Sequence, residues 1–356
     1  MNDPRILQHA KVLVEHSCKV KRGDFVLILA TPEAHDLVVA IAGELGRLGA
    51  QFLVLDRDTE VLRAYMVAAD DQTLSTLPKQ TLSVFEQADC IINLTIASPN
   101  SQELSDVTPH KLQLRARSMK PTSDAVMTKR WNITQHPTRA QAQEAKMSFE
   151  AYCDFVYSAT LRDWAKMVAE MQVLYDRMAA AKQVHIMGME TDITFSVDGR
   201  KPIIDGGEKN LPGGEVFISP VDSSVDGKVY FDLPINYQGR EVSGARLTFK
   251  NGEVVDSAAE EGQETLREML ASDDGARRLG ELGIGMNRGI NRFTKNILFD
   301  EKMGDTIHMA VGASFEESGG TNKSAIHIDM IKSMKKGGTI YFDGAPIYKD
   351  GKFEWE

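Results

Sequence analysis

Phe25-Val26-Leu27-Ile28-Leu29-Ala30 places six apolar residues in unbroken succession. A strand with one wet face alternates apolar and polar residues. A run without alternation is buried on both faces, as strands of a parallel sheet are. Outward from this run the spacing becomes helical. Ile6 to Lys19 carries apolar residues at helical intervals, and Ala34 to Leu48 is a second amphipathic helix, ended by Gly49. Gln51-Phe52-Leu53-Val54-Leu55 follows as a strand, a helix near Leu74 to Glu86 comes next, and Cys90-Ile91-Ile92-Asn93-Leu94 is a third strand. This βαβαβ rhythm predicts an α/β domain, a parallel sheet with helices on its faces. After the first strand, Ala30-Thr31-Pro32-Glu33-Ala34 has no glycine-rich phosphate turn, which excludes a dinucleotide-binding unit. A short strand at Trp131-Asn132-Ile133-Thr134 and a helical segment from about Ser148 to Ala181, free of proline and glycine, complete this half.

Beyond Lys182 the pattern changes. Val184-His185-Ile186-Met187, Ile193-Thr194-Phe195-Ser196-Val197 and Lys228-Val229-Tyr230-Phe231 read as strands. Turn signals separate them: Asp198-Gly199, Asp226-Gly227 and Asn251-Gly252. One helix is evident here, Glu261 to Ser272. The spacing therefore predicts an α/β domain over 1–182 and a β-rich α+β domain over 183–356.

A chain of 356 residues is long enough for two such cores. Its formal charge of −10 argues against a nucleic-acid partner, which calls for a basic face. Cys18, Cys90 and Cys153 are odd in number and lack C-x-x-C spacing, which favours a reducing compartment. Met1-Asn2-Asp3-Pro4-Arg5 has no signal-peptide core, and no run of ~18 apolar residues spans a membrane. A soluble, cytoplasmic protein is expected.

The chemistry concentrates in the second half. In Ser324-Ala325-Ile326-His327-Ile328-Asp329-Met330, alternation puts His327 and Asp329 on one strand face. His308, Glu281 and Glu215 are three further ionisable residues in apolar company, a costly setting unless each is paired or bound to metal. A lone histidine in such a place is usually structural, and His185 fits that reading, with no acid on its own strand face. His9, His16 and His35 lie on expected helices as surface or half-buried residues, and His110 and His136 adjoin loops. Carboxylates and imidazoles together suit zinc, manganese, cobalt or iron(II). Two glutamates, an aspartate and two histidines are enough for two ions sharing a carboxylate, the arrangement that activates water for aminopeptidases.

Asn210-Leu211-Pro212-Gly213-Gly214-Glu215-Val216-Phe217 and Pro220-Val221-Asp222-Ser223-Ser224-Val225-Asp226-Gly227 resemble a segment of the thermophilic aminopeptidase family of metallopeptidases. Leu279-Gly280-Glu281-Leu282-Gly283, Ile307-His308-Met309-Ala310 and Ile326-His327-Ile328-Asp329 match it in order and approximate spacing, so the likeness spans most of 205–335. The resemblance implies that Glu215, Glu281, His308, His327 and Asp329 are metal ligands, with Glu281 as the bridge. It also implies Glu215 or Glu281 as proton carrier, a small peptide or amide as substrate, and a homodimer or larger homo-oligomer. Phe315 stands where the family's peptidases carry a catalytic tyrosine. Phenylalanine cannot donate to an oxyanion, a contribution of about 3 kcal/mol in such sites; Ser314 and Glu316 are the neighbours that could substitute.

An alternative comes from iron(II) ring-cleaving dioxygenases resembling 2,5-dihydroxypyridine 5,6-dioxygenase. They share the His-x-Asp strand but carry histidine in place of Glu281, and His308, His327 and Asp329 would supply their three ligands. Both glutamates are present here and would fill the positions that O₂ needs. A non-enzymatic module with a decayed site is the third class, and five intact candidate ligands argue against it.

Overall fold

The computed structural model describes residues 3–94, 103–237 and 239–356. The chain divides into two compact units, Met1–Leu161 with Gly207–Pro212, and Arg162–Gly206 with Gly213–Glu356.

The first unit is built on five parallel strands in the order Gln51–Asp56, Phe25–Ala30, Cys90–Leu94, Arg130–Thr134 and Asn210–Leu211. Val26, Leu27 and Ile28 are fully buried, as an apolar run flanked by strands on both sides must be. Helix His35–Leu48 ends at Gly49, whose φ of +76° glycine adopts without strain. The helix expected near Leu74 to Glu86 is two, Asp71–Ser75 and Lys79–Gln87. The last strand has only two residues and comes from the far side of the 182/183 boundary set by spacing.

In the second unit an eight-stranded antiparallel sheet runs from Glu253–Ala258 to Lys352–Phe353. A separate antiparallel sheet has five strands, in the order His327–Ser333, Thr306–Gly312, Leu279–Gly285, Glu215–Ile218 and Ile203–Asp205. Helix Trp164–Ala180 belongs to this unit and packs on the last two of those strands. The continuous helix expected from Ser148 to Ala181 is instead broken between Thr160 and Trp164. Asp163 starts the second piece by accepting from the Lys166 N–H, an N-cap that neither proline nor glycine announces. Asp226-Gly227 is no turn: it lies within strand Asp226–Phe231. A Cβ on Gly227 would stand 2.2 Å from the Asp192 carbonyl oxygen, so glycine serves close strand approach there.

Candidate metal centre

Register brings all five predicted residues to one face of the five-stranded sheet. Ala310 lies opposite Asp329 on one side and Glu281 on the other. Gly312 faces His327, Gly283 faces His308, and Gly285 faces Glu215. Strand alternation then aligns these positions, and a bulge between Leu279 and Glu281 comes just before the central glutamate. The residues between the ligand candidates are Gly283, Gly285, Ala310 and Gly312, a floor almost without side chains. At Gly283 an added Cβ would lie 2.0 Å from His308 Nε2 and Cε1, so the ring occupies the space that glycine leaves.

Glu281 is central. Its Oε1 lies 3.3 Å from His308 Nε2 and its Oε2 lies 2.9 Å from His327 Nε2. His308 Nε2 is also 3.4 Å from Glu215 Oε2 and 3.9 Å from Asp329 Oδ1, and His327 Nε2 is 3.6 Å from Asp329 Oδ1. Both rings are oriented from behind: His308 Nδ1–H donates to the Glu301 carbonyl at 2.9 Å and His327 Nδ1–H to that of Ala313 at 2.7 Å. A carbonyl only accepts, so Nδ1 carries the hydrogen and Nε2 points inward as the ligating atom.

The charges are strongly coupled. Burial pulls both imidazoles down, but the carboxylates outweigh it. Glu215, Glu281 and Asp329 push His308 up to about 10, and Asp329 and Glu281 push His327 up to about 11. Burial pushes Glu215 up to about 8 against the pull of Lys302 and His308. Asp329 resists its burial and falls to about 2, held by His327, His308 and Lys302. Glu281 is lowered by the two histidines in spite of its burial.

Three residues at this site were not read from the sequence. Lys302 is fully buried, donates to the Glu301 carboxylate, and lies 3.4 Å from Glu215 Oε1 and 3.8 Å from Asp205 Oδ2. Asp300-Glu301-Lys302 looks like a solvated charged triplet, and only its place six residues ahead of His308 hints otherwise. Of the remaining histidines, His185 lies in the eight-stranded sheet, 2.8 Å from Asp192 Oδ1 on the neighbouring strand. His9, expected at or near the surface, is fully buried in the first unit.

Two oxygens of the candidate set, Glu215 Oε2 and Asp329 Oδ1, are buried without a hydrogen-bond partner. Such atoms call for a donor or a cation. One oxygen or nitrogen from each of Glu281, His327 and Asp329 falls within 4.8 Å of the others. Oxygen and imidazole donors without a thiolate fit a divalent ion.

The Phe315 ring lies beside the centre, 5.0 Å from the His327 ring and 5.1 Å from Phe217. Of its neighbours, Ser314 Oγ donates to the Asn322 carbonyl, and Glu316 is exposed.

A family model described as thermophilic metalloprotease matches residues 2–353. The chain belongs to the thermophilic metalloprotease family. Aminopeptidase 2 of Geobacillus stearothermophilus is 27% identical over 98% of this chain and 95% of its own length. Aminopeptidase T of Thermus thermophilus is 26% identical, covering 96% and 94%. Among solved structures, wild-type AmpT from Thermus thermophilus superposes with a TM-score of 0.83 at 23% identity, over 98% of this chain and 99% of that one, which fixes the common fold. The expected metallopeptidase family and fold class stand, and the dioxygenase alternative finds no support in these relatives.

Proposed function

We propose that this protein is a metallo-aminopeptidase that releases N-terminal residues from small peptides, with Glu215, Glu281, His308, His327 and Asp329 holding two divalent ions. The observation that carries this reading is Glu281, whose two oxygens each face a different inward-pointing imidazole. That is the disposition a carboxylate shared by two ions requires. Charge supports the same count. With every carboxyl ionised, Asp205, Glu215, Glu281, Glu301 and Asp329 bring five negative charges to the cluster, and Lys302 balances one. Two divalent ions balance the other four with both imidazoles neutral.

When bound, ions of the zinc, cobalt or manganese type supply Lewis acidity that polarises the scissile carbonyl and acidifies water. The chain does the rest. Nδ1 contacts to backbone hold both imidazoles in the ligating tautomer. One of the two buried glutamates, Glu215 or Glu281, takes up a proton from water and returns it to the leaving amine. Phe315 offers no hydrogen bond to an oxyanion, so the reading is of a peptidase without a phenolic stabiliser.

Three buried free cysteines agree with a cytoplasmic setting, and among the described residues no helix is long and apolar enough to cross a membrane. A homo-oligomer is part of the reading. Edge strand Gln51–Asp56 leaves Phe52, Leu53 and Val54 about two-fifths exposed, the kind of edge that association covers.

The test is elemental analysis of protein purified without added metal, paired with an aminoacyl-amide assay. Close to two zinc, cobalt or manganese ions per chain with hydrolysis is expected. One ion per chain, or two ions and no hydrolysis of any aminoacyl amide, would overturn the reading.

A further inference from the structure

A cavity of about 250 Å³ opens at the ligand-bearing strand, where the half-buried His327 and Asp329 line it together with Ile328 and Ile331. Ile331 shares the ligand face with them and pairs across the strands with His308. The opposite wall is Ile235, from the two-stranded ribbon Ile235–Tyr237 and Arg240–Val242, and Phe293 and Ile297 contribute from the segment ahead of Glu301. Ile235 and Ile331 are buried, whereas Ile297 is 48% exposed and stands at the mouth.

We infer that this cavity receives the side chain of the substrate's N-terminal residue and that its walls select large aliphatic or aromatic side chains. The inference rests on the aminopeptidase reading and adds the substrate class to it. Pockets that enclose a whole small ligand run to roughly 300–1,000 Å³, so a smaller void touching two ligand candidates suits one side chain, not a complete molecule. Four isoleucines and a phenylalanine in the lining favour an apolar occupant. Two of the charged groups on the wall are held by neighbours, and the second oxygen of Asp300, Oδ2, is buried without a hydrogen-bond partner. Lys295 pairs with Glu241 across the cavity, and Asp300 Oδ1 accepts from both the N–H and the hydroxyl of Thr294 at 2.9 Å. Burial also pushes the Asp300 carboxyl up to about 7, which disfavours a charge that would recruit a basic side chain.

The experiment compares kcat/KM for glycyl, alanyl, leucyl, phenylalanyl and lysyl aminomethylcoumarins, using metal-loaded wild type, Ile297→Trp and Ile235→Trp. Wild type should prefer leucyl and phenylalanyl over alanyl by 10-fold or more, since each methylene placed in an apolar pocket is worth about 10-fold or better. Ile297→Trp, a change at a half-exposed position that should leave the fold intact, should move the leucyl-to-alanyl ratio at least 10-fold towards alanyl. Ile235→Trp should move it further, provided its thermal melt matches wild type. Hydrolysis with a preference for glycyl or lysyl, or an unchanged ratio in Ile297→Trp, would overturn the cavity's role and leave the aminopeptidase reading standing. No hydrolysis of any of the five would remove that reading, and the cavity's role with it.

Discussion

The first unit and the second each bury a histidine completely, and the two rings end in opposite states. His9 sits on helix Pro4–Lys11, and its Nε2 lies 2.8 Å from Thr134 Oγ1. Burial pushes it down to about 3. His308 is buried as well, yet three carboxylates within 4 Å push it up to about 10. Desolvation acts alike on both, so the company each ring keeps decides its charge. A cation-binding histidine is recognised by the acids around its inward nitrogen, and burial alone does not identify one.

The strongest way to break this contrast is to delete ligand candidates. His327→Ala or Asp329→Ala should lower kcat/KM on the order of 10³-fold, as expected when ion placement is lost, and should lower metal content. His9→Gln should change neither by more than about 2-fold. Full metal and full activity in Asp329→Ala would erase the distinction between the two sites.

Stability sharpens it next. Lys302→Met leaves Glu215, Glu301 and Asp205 without their buried cation, and should lower the unfolding free energy of the metal-free protein by about 3–5 kcal/mol. Urea denaturation measures it, and a change below about 1 kcal/mol would mean that the carboxylates do not need the ammonium. A further variant asks what the second unit's centre lacks. Phe315→Tyr should raise kcat on leucyl amide about 10-fold by restoring an oxyanion donor, whereas an unchanged kcat would point to another stabiliser.

The last effect lies in the first unit and depends on pH. Because His9 is depressed in the folded state, the unfolded chain binds more protons between pH 6.5 and about 3. Its contribution is therefore present above pH 6.5 and lost as pH falls through that window. His9→Gln should reduce the drop in unfolding free energy between pH 7 and pH 4 by up to about 3 kcal/mol. Equal drops in both proteins would show that His9 does not titrate with folding.

Much of this was legible before any coordinates. The unbroken run Phe25–Ala30 reads as a doubly covered strand because burial on both faces removes alternation. His327 and Asp329 read as a pair because a strand repeats every two residues. Lys302 was not legible, since a charged triplet at the end of a short helix looks the same whether its lysine faces water or buried carboxylates. Asn210–Leu211 is too short to show a period, so its membership of the parallel sheet rests on pairing with a distant strand. His9 was misread although Ile6, Ala10 and Leu13 lie at helical spacing around it, and all three are buried. Its position on the helix already places it on the dry face.

The bare floor beneath the ligand candidates has a practical consequence for choosing controls. Replacing a ligand changes charge, hydrogen bonding and volume at once, so a dead variant explains little. At Gly283 a single added methyl would claim the place of the His308 ring while leaving all five donors in the chain. Gly283→Ala is thus a route to a protein with every ligand candidate present and no room to arrange them, a blank in which coordination chemistry can be told apart from composition.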